Sequence, residues 1–190
     1  MEKNRYEMRF AGSGGQGVIL ASVILAEAAV IAGLRAVQSQ AYGPEARGGV
    51  SRAETILSRG QIWFSKVTRP DFLLALTQAS LDTYSQTLAE GAFVMFDDTL
   101  TPPEGLDGTR LAAVPILRTA RETVGKAFTA NIVAVGAINA ALGLFDGAVL
   151  DEAVRRHIPA GTEEINRRAL EAGAALISPA QAAAFAARIG

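Results

Sequence analysis

The chain has 190 residues, of which 49% are hydrophobic and 19% charged, a balance that favours one folded domain and excludes a disordered polymer. Its 18 basic and 19 acidic side chains leave a net charge of −1, which argues against a nucleic-acid partner. It has no cysteine and one histidine, so it cannot supply thiolate ligands to an iron–sulfur cluster or build a histidine-rich metal site.

The first part of the chain predicts a strand, a helix and a second strand. Residues 6–11 and 34–38 have the pattern of short strands, and residues 18–32 form a helix that is apolar on nearly every face. A helix lying on the outside of a sheet normally shows a polar stripe. We therefore expect the sheet to cover one side of this helix and another element, such as another subunit, to cover the other.

A β-hairpin is predicted next. Residues 50–57 and 61–64 are strand-like and flank Ser58-Arg59-Gly60, a three-residue connection that ends in glycine. Such a hairpin makes the sheet mixed rather than parallel. Further strands are predicted at residues 72–76, 93–96 and 111–114, with a helix at residues 80–88.

The C-terminal third predicts helices only. Their ranges are 118–124, 131–144, 148–157 and 162–172, followed by an alanine-rich helix that a capping box opens at Ser178-Pro179-Ala180-Gln181. The whole chain, residues 1–190, therefore predicts a single α/β Rossmann-like layered domain, with a mixed sheet containing a β-hairpin and a helical C-terminal third.

No membrane segment is predicted. The N-terminus is of mixed charge and lacks the apolar core of a signal peptide. The longest apolar stretch, residues 18–34, is short for a bilayer and carries Glu27 near its middle. We expect a cytoplasmic protein without a membrane partner.

A glycine loop follows the first predicted strand. Gly12, Ser13, Gly14, Gly15, Gln16 and Gly17 match G-x-G-x-x-G between a strand and a helix, the context that this motif requires. Glycines allow a tight turn and a close ligand approach, and the helix amides beyond them point at an anion, typically a phosphate. The alternative is a turn that only packs the strand against the helix.

Dinucleotide binding lacks a second support in this sequence. A ribose diol is held by an acidic residue about 20 positions after the loop, at the end of strand two. That strand ends here in Gln38-Ser39-Gln40, and Glu45 lies beyond it. A stand-alone Rossmann protein that binds NAD or NADP is therefore disfavoured.

A second unusual segment runs through residues 42–49, YGPEARGG. Arg47 lies between an acid and paired glycines, where its guanidinium can reach a carboxylate or phosphate bidentately. The alternative is a surface loop in which Arg47 is solvated.

Together the two loops closely resemble the gamma subunit of 2-oxoacid:ferredoxin oxidoreductases, especially the 2-oxoglutarate type. The resemblance rests on residues 11–21, AGSGGQGVILA, and residues 40–51, QAYGPEARGGVS. It continues through residues 69–71, RPD, and residues 130–137, ANIVAVGA, and covers most of the chain. One departure is Trp63-Phe64-Ser65, where the family commonly has an aromatic residue followed by proline.

The resemblance implies a complex that oxidatively decarboxylates a 2-oxo acid to its acyl-CoA and CO2, with 2-oxoglutarate as the leading substrate and pyruvate, a branched-chain 2-oxo acid or an aryl glyoxylate as alternatives. Thiamine diphosphate with magnesium, and the iron–sulfur clusters, would lie on partner alpha and beta subunits. A ferredoxin-like or NAD-linked electron-transfer subunit is a further expected partner, and ferredoxin is the expected acceptor. The isolated chain is expected to be inactive.

The gamma subunit is associated with the coenzyme A side of that active site. The hypothesis for this chain is a cleft for coenzyme A or another anion, shared with a partner subunit, and no residue is assigned to catalysis or to a metal. The expected binding residues are Gly12, Ser13, Gly14, Gly15, Gln16, Gly17, Tyr42, Glu45, Arg47 and Gly48.

Other polar residues are given structural roles. We expect Arg52 and Glu54 to form pairs across or beside the hairpin rather than touch substrate, Asp97 and Asp98 to cap a helix, and Asn131 to be an N-cap. His157 is expected to interact with a helix C-terminus. A purely structural subunit, whose glycine loop only packs, is the third alternative beside the oxidoreductase subunit and the NAD(P)-binding protein.

Overall fold

A six-stranded mixed sheet forms the centre of the chain. The computed structural model describes residues 4–41, 50–106 and 111–186. The strand order is β2-β3-β1-β4-β5-β6. The strands are β1 (Arg5–Ser13), β2 (Arg35–Ala41), β3 (Val50–Ser58), β4 (Phe72–Ala75), β5 (Phe93–Asp97) and β6 (Leu111–Val114).

Seven α-helices accompany this sheet in the described part of the chain. They are α1 (Val18–Ile31), α2 (Gln78–Tyr84), α3 (Ile116–Arg118), α4 (Ala130–Leu142), α5 (Gly147–His157), α6 (Glu163–Ala174) and α7 (Pro179–Phe185). A π-helical turn continues α3, and short 3₁₀ turns follow α2 and precede α4. The predicted capping box at Ser178 is confirmed, because its side chain accepts from the Gln181 amide while Gln181 reaches back to the Ser178 amide.

The direction of the strands brings several loop positions to one edge of the sheet. β1, β4, β5 and β6 run parallel, whereas β3 is antiparallel to both β1 and β2. The carboxyl ends of β1, β4, β5 and β6 therefore lie at the same edge, together with the end of β2 and the start of β3. This edge is called the carboxyl edge below.

The prediction of a mixed α/β sheet is confirmed, but the hairpin lies elsewhere. Residues 61–64 form no strand, and the antiparallel neighbours that follow each other in the chain are β2 and β3, with Val37 opposite Ile56. The physical reason is that β3 is an interior strand. β2 and β1 occupy its two edges, so the segment after Ser58 cannot pair with β3 as the second strand of a hairpin.

Helices cover the two faces of the sheet unequally. The main core joins α1, α4, α5, α6 and α7 to one face. On the other face α2 packs over β4 and β5 in a smaller cluster centred on Leu73, Leu81 and Phe96. The expected cover on the other side of α1 comes from the same chain, because α4 and α5 lie against this helix. Another subunit is not needed there over most of the length of α1.

Two close backbone contacts hold α4 against α6. A Cβ on Gly136 would lie 2.1 Å from the Leu170 carbonyl oxygen, and one on Gly173 would lie 2.0 Å from that of Val133. Only glycine allows the two helix backbones to approach this closely. Among the described residues, no helix is long and apolar enough to cross a membrane.

Candidate functional site

The glycine loop lies at the carboxyl edge, where the sheet changes its direction of winding. The chain leaves β1 at Ser13 and enters α1 at Val18, which leads towards β2 on one side. β4, the neighbour of β1 on the other side, leads through α2 to β5. Ligands of open α/β sheets bind at such a point, outside the carboxyl ends of the strands.

The backbone of the loop is open where a ligand would approach. Gly15 and Gly17 have φ angles of 88° and 71°, in the left-handed region that glycine tolerates. Gly14 and Gly15 are exposed, and a Cβ built on either residue meets no atom within 4 Å. Among the described residues, none contacts the outer side of the middle of the loop.

The N-terminus of α1 has no side-chain cap. Gly17 is the N-cap of this 14-residue helix and brings no side chain to accept from its first amides. Within the described residues, the amides of Gly14, Gly15, Gly17 and Val18 donate to no acceptor. Uncapped amides at the positive end of a helix dipole favour an anion.

Gln16 serves the turn itself. Its Oε1 accepts from the Ser13 amide at 2.7 Å, and its Nε2 donates to the Leu76 carbonyl at 3.1 Å, just beyond β4. The same Oε1 would lie 2.5 Å from a Cβ on Gly12. Of the predicted binding residues, Gly12 and Gln16 thus pack the loop against β4, whereas Gly14, Gly15 and Gly17 present their amides.

Asn131 is a polar residue at this site that sequence analysis assigned to another role. The expected N-cap is wrong, because α4 begins at Ala130 after Thr129 and Asn131 lies in its first turn. Its side chain is buried against the glycine loop, since a Cβ on Gly17 would lie 2.8 Å from Asn131 Nδ2. Asn131 Oδ1 accepts from the Ile132 amide, and Nδ2 donates to no acceptor among the described residues.

The contact between Gly17 and Asn131 brings two helix N-termini together. α1 begins beside Gly17 and α4 begins beside Asn131, so the positive ends of both helix dipoles lie at one place. No sequence pattern signals this contact, because the two residues are far apart in the chain and meet only when α4 packs beside α1.

The second predicted loop can be placed only through its two ends. Tyr42, Glu45, Arg47 and Gly48 lie outside the described residues. Ala41 ends β2 opposite Arg52, and Val50 begins β3 opposite Ser13, the last residue of β1. The chain therefore leaves and re-enters the sheet at the same edge as the glycine loop.

The remaining polar candidates have structural partners. Asp97 is fully buried, accepts from the Thr99 amide and hydroxyl, and caps the first turn of α3 through the Leu117 amide at 2.8 Å. Asp98 pairs with Arg118 at 2.7 Å. The expected capping role of Asp97 is confirmed. His157 ends α5, as expected, and its Nε2 lies 3.7 Å from a Glu27 oxygen.

The glycine loop is suited to binding an anion rather than to proton transfer, because the residues with raised pKa values lie elsewhere. Burial, helped by the Asp71 carboxylate, raises the pKa of the Tyr6 hydroxyl, and hydrogen bonds to Glu27 and Glu152 raise that of Arg156. Tyr6 lies near the other end of β1 and Arg156 on α5, so neither belongs to the glycine loop. The loop offers hydrogen-bond donors and helix dipoles, which hold an anion.

Comparison with known proteins gives a consistent family. A family model described as pyruvate ferredoxin/flavodoxin oxidoreductase matches residues 7–176. The 2-oxoglutarate synthase subunit KorC of Methanothermobacter thermautotrophicus is 44% identical over 180 residues, which cover 91% of this chain and 95% of the relative. The ketoisovalerate oxidoreductase subunit VorA of the same organism is 39% identical over 172 residues, covering 88% of this chain but 35% of that protein.

Two solved structures are also similar. The gamma subunit of a keto/oxoacid ferredoxin oxidoreductase from Geobacter sulfurreducens superposes with a TM-score of 0.79 at 45% identity, covering 90% of this chain and 96% of that one. A 2-oxoglutarate:ferredoxin oxidoreductase from Magnetococcus marinus, solved with 2-oxoglutarate, coenzyme A and succinyl-CoA, shares the fold with a TM-score of 0.82 at 23% identity. The superposed part covers 92% of this chain and 31% of the Magnetococcus marinus chain.

Proposed function

The chain belongs to the pyruvate ferredoxin/flavodoxin oxidoreductase family. We propose that it is the gamma subunit of a complex that oxidises 2-oxoglutarate with coenzyme A to succinyl-CoA and CO2 and passes the electrons to ferredoxin. Residues 1–190 form one gamma-type domain in this proposal. The name of the 44% identical relative supports 2-oxoglutarate. The similarity to a ketoisovalerate oxidoreductase subunit keeps a branched-chain 2-oxo acid as the alternative substrate.

The proposed role of this chain is to hold the anionic part of coenzyme A. The observation that carries it is the uncapped N-terminus of α1, which follows the open positions Gly14 and Gly15 and whose first amides donate to no acceptor among the described residues. A phosphate there would accept from these amides and from Asn131 Nδ2, with two helix dipoles behind it. Arg47, from the segment between Ala41 and Val50, is the proposed cationic partner.

The redox groups are assigned to partner subunits. Thiamine diphosphate supplies the carbanion chemistry of decarboxylation, and iron–sulfur clusters carry the electrons to ferredoxin. This chain has no cysteine with which to ligate a cluster. Its residues bind and orient the acyl acceptor, so we expect the lone chain to be inactive, and we expect the complex to lie in the cytoplasm.

A charge placed at Gly14 tests the role directly. Gly14 is exposed and has open space for a side chain, so both Gly14→Asp and Gly14→Asn should fold and assemble. In the assembled complex, Gly14→Asp should raise the KM for coenzyme A at least about tenfold, because a carboxylate repels the phosphate, whereas Gly14→Asn should change it less than about threefold. Equal KM values for the two variants would contradict an anion site at the glycine loop.

Two further assays separate the alternatives. Turnover of the complex with 2-oxoglutarate, pyruvate and 2-oxoisovalerate identifies the substrate, and we expect 2-oxoglutarate to give the highest kcat/KM. Titration of the lone chain with NADH tests the dinucleotide alternative. We expect no binding, because the described part of β2 carries no carboxylate for a ribose diol.

A further inference from the structure

The sheet face opposite α1 carries charged side chains over β3 and β1. Side chains alternate along a strand, so Arg9 on β1 and Glu54, its partner on β3, share this face with Arg52. Arg9 and Glu54 are buried, and their ion pair measures 2.8 Å. A charged floor of this kind differs from the apolar core on the other face.

Positive charge exceeds negative charge on this face. The Glu54 carboxylate is used by Arg9, and Arg52 lies 3.9 Å from the same oxygen. The guanidinium groups of Arg9 and Arg52 both lie over the Tyr84 ring, at 5.3 and 5.6 Å from its centre. Lys66 is exposed and makes no ion pair with any described residue. Among the described residues, the charged groups that line the depression between β3 and α2 are therefore three cations, Arg9, Arg52 and Lys66, and one carboxylate, that of Glu54.

These groups surround a depression between β3 and α2. Its volume is about 670 Å³, and Arg52, Lys66 and Thr83 line it together with Tyr84. The depression is concave and positive, which favours an acidic occupant.

Two exposed aromatic side chains lie in the segment that leads to Lys66 and Val67, which line the depression. Trp63 is 88% exposed and Phe64 is 59% exposed. Their segment lies across this face, because Arg5 donates to the Phe64 carbonyl at 2.6 Å and Arg9 donates to the Val67 carbonyl at 3.2 Å. Tryptophan, tyrosine and arginine are the residues that carry most binding energy in protein interfaces. Arg52, Trp63, Phe64, Lys66 and Tyr84 are called the cationic-aromatic face below.

We propose that the cationic-aromatic face docks an acidic surface of another subunit of the complex. The docking face rests on the proposed function, which makes this chain a subunit. The charge selects the partner, because an acidic surface supplies carboxylates to Lys66 and to Arg52, which shares that of Glu54 with Arg9, while Trp63 and Phe64 supply the apolar contact. A second copy of this chain does not fit, since a two-fold contact would bring the same cations together.

The single tryptophan of the chain provides a direct measurement. The chain is labelled with 5-fluorotryptophan, and its one ¹⁹F signal is recorded alone and after assembly with unlabelled partner subunits. We expect the signal to shift on assembly and to lose most of its H2O/D2O isotope shift, because Trp63 becomes buried. An unchanged signal in the assembled complex would overturn the docking face.

Charge reversal tests the electrostatic part. Arg52→Glu with Lys66→Glu should weaken assembly at least about tenfold, whereas the matched reversal of exposed Arg121 and Lys126 should change it less than about threefold. If the reversed chain does not fold, Arg52→Gln with Lys66→Gln should weaken assembly in the same direction. Equal weakening by the two reversals would contradict the proposal.

Two further readouts separate the docking face from the anion site at the glycine loop and from a pocket for a small anion. The KM for coenzyme A in the complex that still forms should stay unchanged, so failure of the anion site and failure of the docking face give different results. Inorganic pyrophosphate is then titrated into the lone chain. Binding that depends on Arg52 and Lys66, with no ¹⁹F shift on assembly, would identify a small-anion site and overturn the proposal.

Discussion

Gly17 and Asn131 lie in direct contact and join the N-terminus of α1 to that of α4. A Cβ on Gly17 would lie 2.8 Å from Asn131 Nδ2 and 2.9 Å from Asn131 Cβ, and the φ angle of Gly17 is 71°. The glycine is therefore required twice, for its backbone conformation and for the space beside it.

The first prediction compares two glycines of the same loop. Gly15→Ala should lower the free energy of unfolding by about 1 kcal/mol, because its φ angle of 88° is strained for alanine although the space is open. Gly17→Ala should cost about 3 kcal/mol, since the methyl group also displaces Asn131. Urea unfolding of both variants measures the difference. Equal costs would contradict the close contact.

The second prediction concerns the role of Gln16. Gln16→Met removes the hydrogen bonds to the Ser13 amide and the Leu76 carbonyl, and should lower the free energy of unfolding by about 1–3 kcal/mol. Gln16→Glu keeps the acceptor for the Ser13 amide and loses only the donor to the Leu76 carbonyl. A smaller loss of stability than that of Gln16→Met would mean that the bond to Leu76 is the weaker of the two. A Gln16→Met variant of unchanged stability would show that Gln16 does not hold the turn.

The third prediction concerns the buried pair of Arg9 and Glu54. Glu54→Leu leaves Arg9 buried without its carboxylate and should cost about 3–5 kcal/mol of unfolding free energy. The double variant Arg9→Met with Glu54→Leu should recover most of that loss, because no buried charge is left unpaired. Thermal or urea unfolding of the two single variants and the double variant gives the cycle. Additive losses would mean that the two side chains act independently.

The fourth prediction tests the crossing of α4 and α6. Gly136→Ala should cost about 3 kcal/mol or more, because its methyl group meets the Leu170 carbonyl at 2.1 Å and the helices must separate. Gly147→Ala, at the start of α5 with open space around it, is the matched control and should be neutral or slightly stabilising. A tolerated Gly136→Ala would show that the two helices are not packed backbone to backbone.

Much of the fold follows from local sequence patterns. Periodicity and capping residues alone predict the strands near Phe10, Leu74 and Met95, the helix after Gly17 and the capping box at Ser178. Pairing between strands is not predictable in the same way. Residues 61–64 have the pattern of a strand, yet β3 has both edges occupied, and only the tertiary arrangement reveals this.

The candidate site is predictable in part. The glycine pattern places the turn between β1 and α1 correctly, and its phosphate-binding role stays a prediction. The sequence does not reveal Asn131, because its contact with Gly17 depends on how α4 packs, which no short-range signal encodes. From the sequence, Gln16 fits either a ligand contact or the turn. The structure shows its two backbone partners in the turn, and its contact with a ligand stays a prediction.

Amide hydrogen exchange in the assembled complex tests the anion site most directly. Peptides that contain residues 13–19 are followed with and without coenzyme A, and peptides from α6 serve as the internal reference. We predict that coenzyme A slows the exchange of the amides of Gly14, Gly15, Gly17 and Val18, because these groups begin to donate to its phosphate oxygens, and leaves α6 unchanged. Exchange at these amides that stays the same while the complex turns over with saturating coenzyme A would contradict the account.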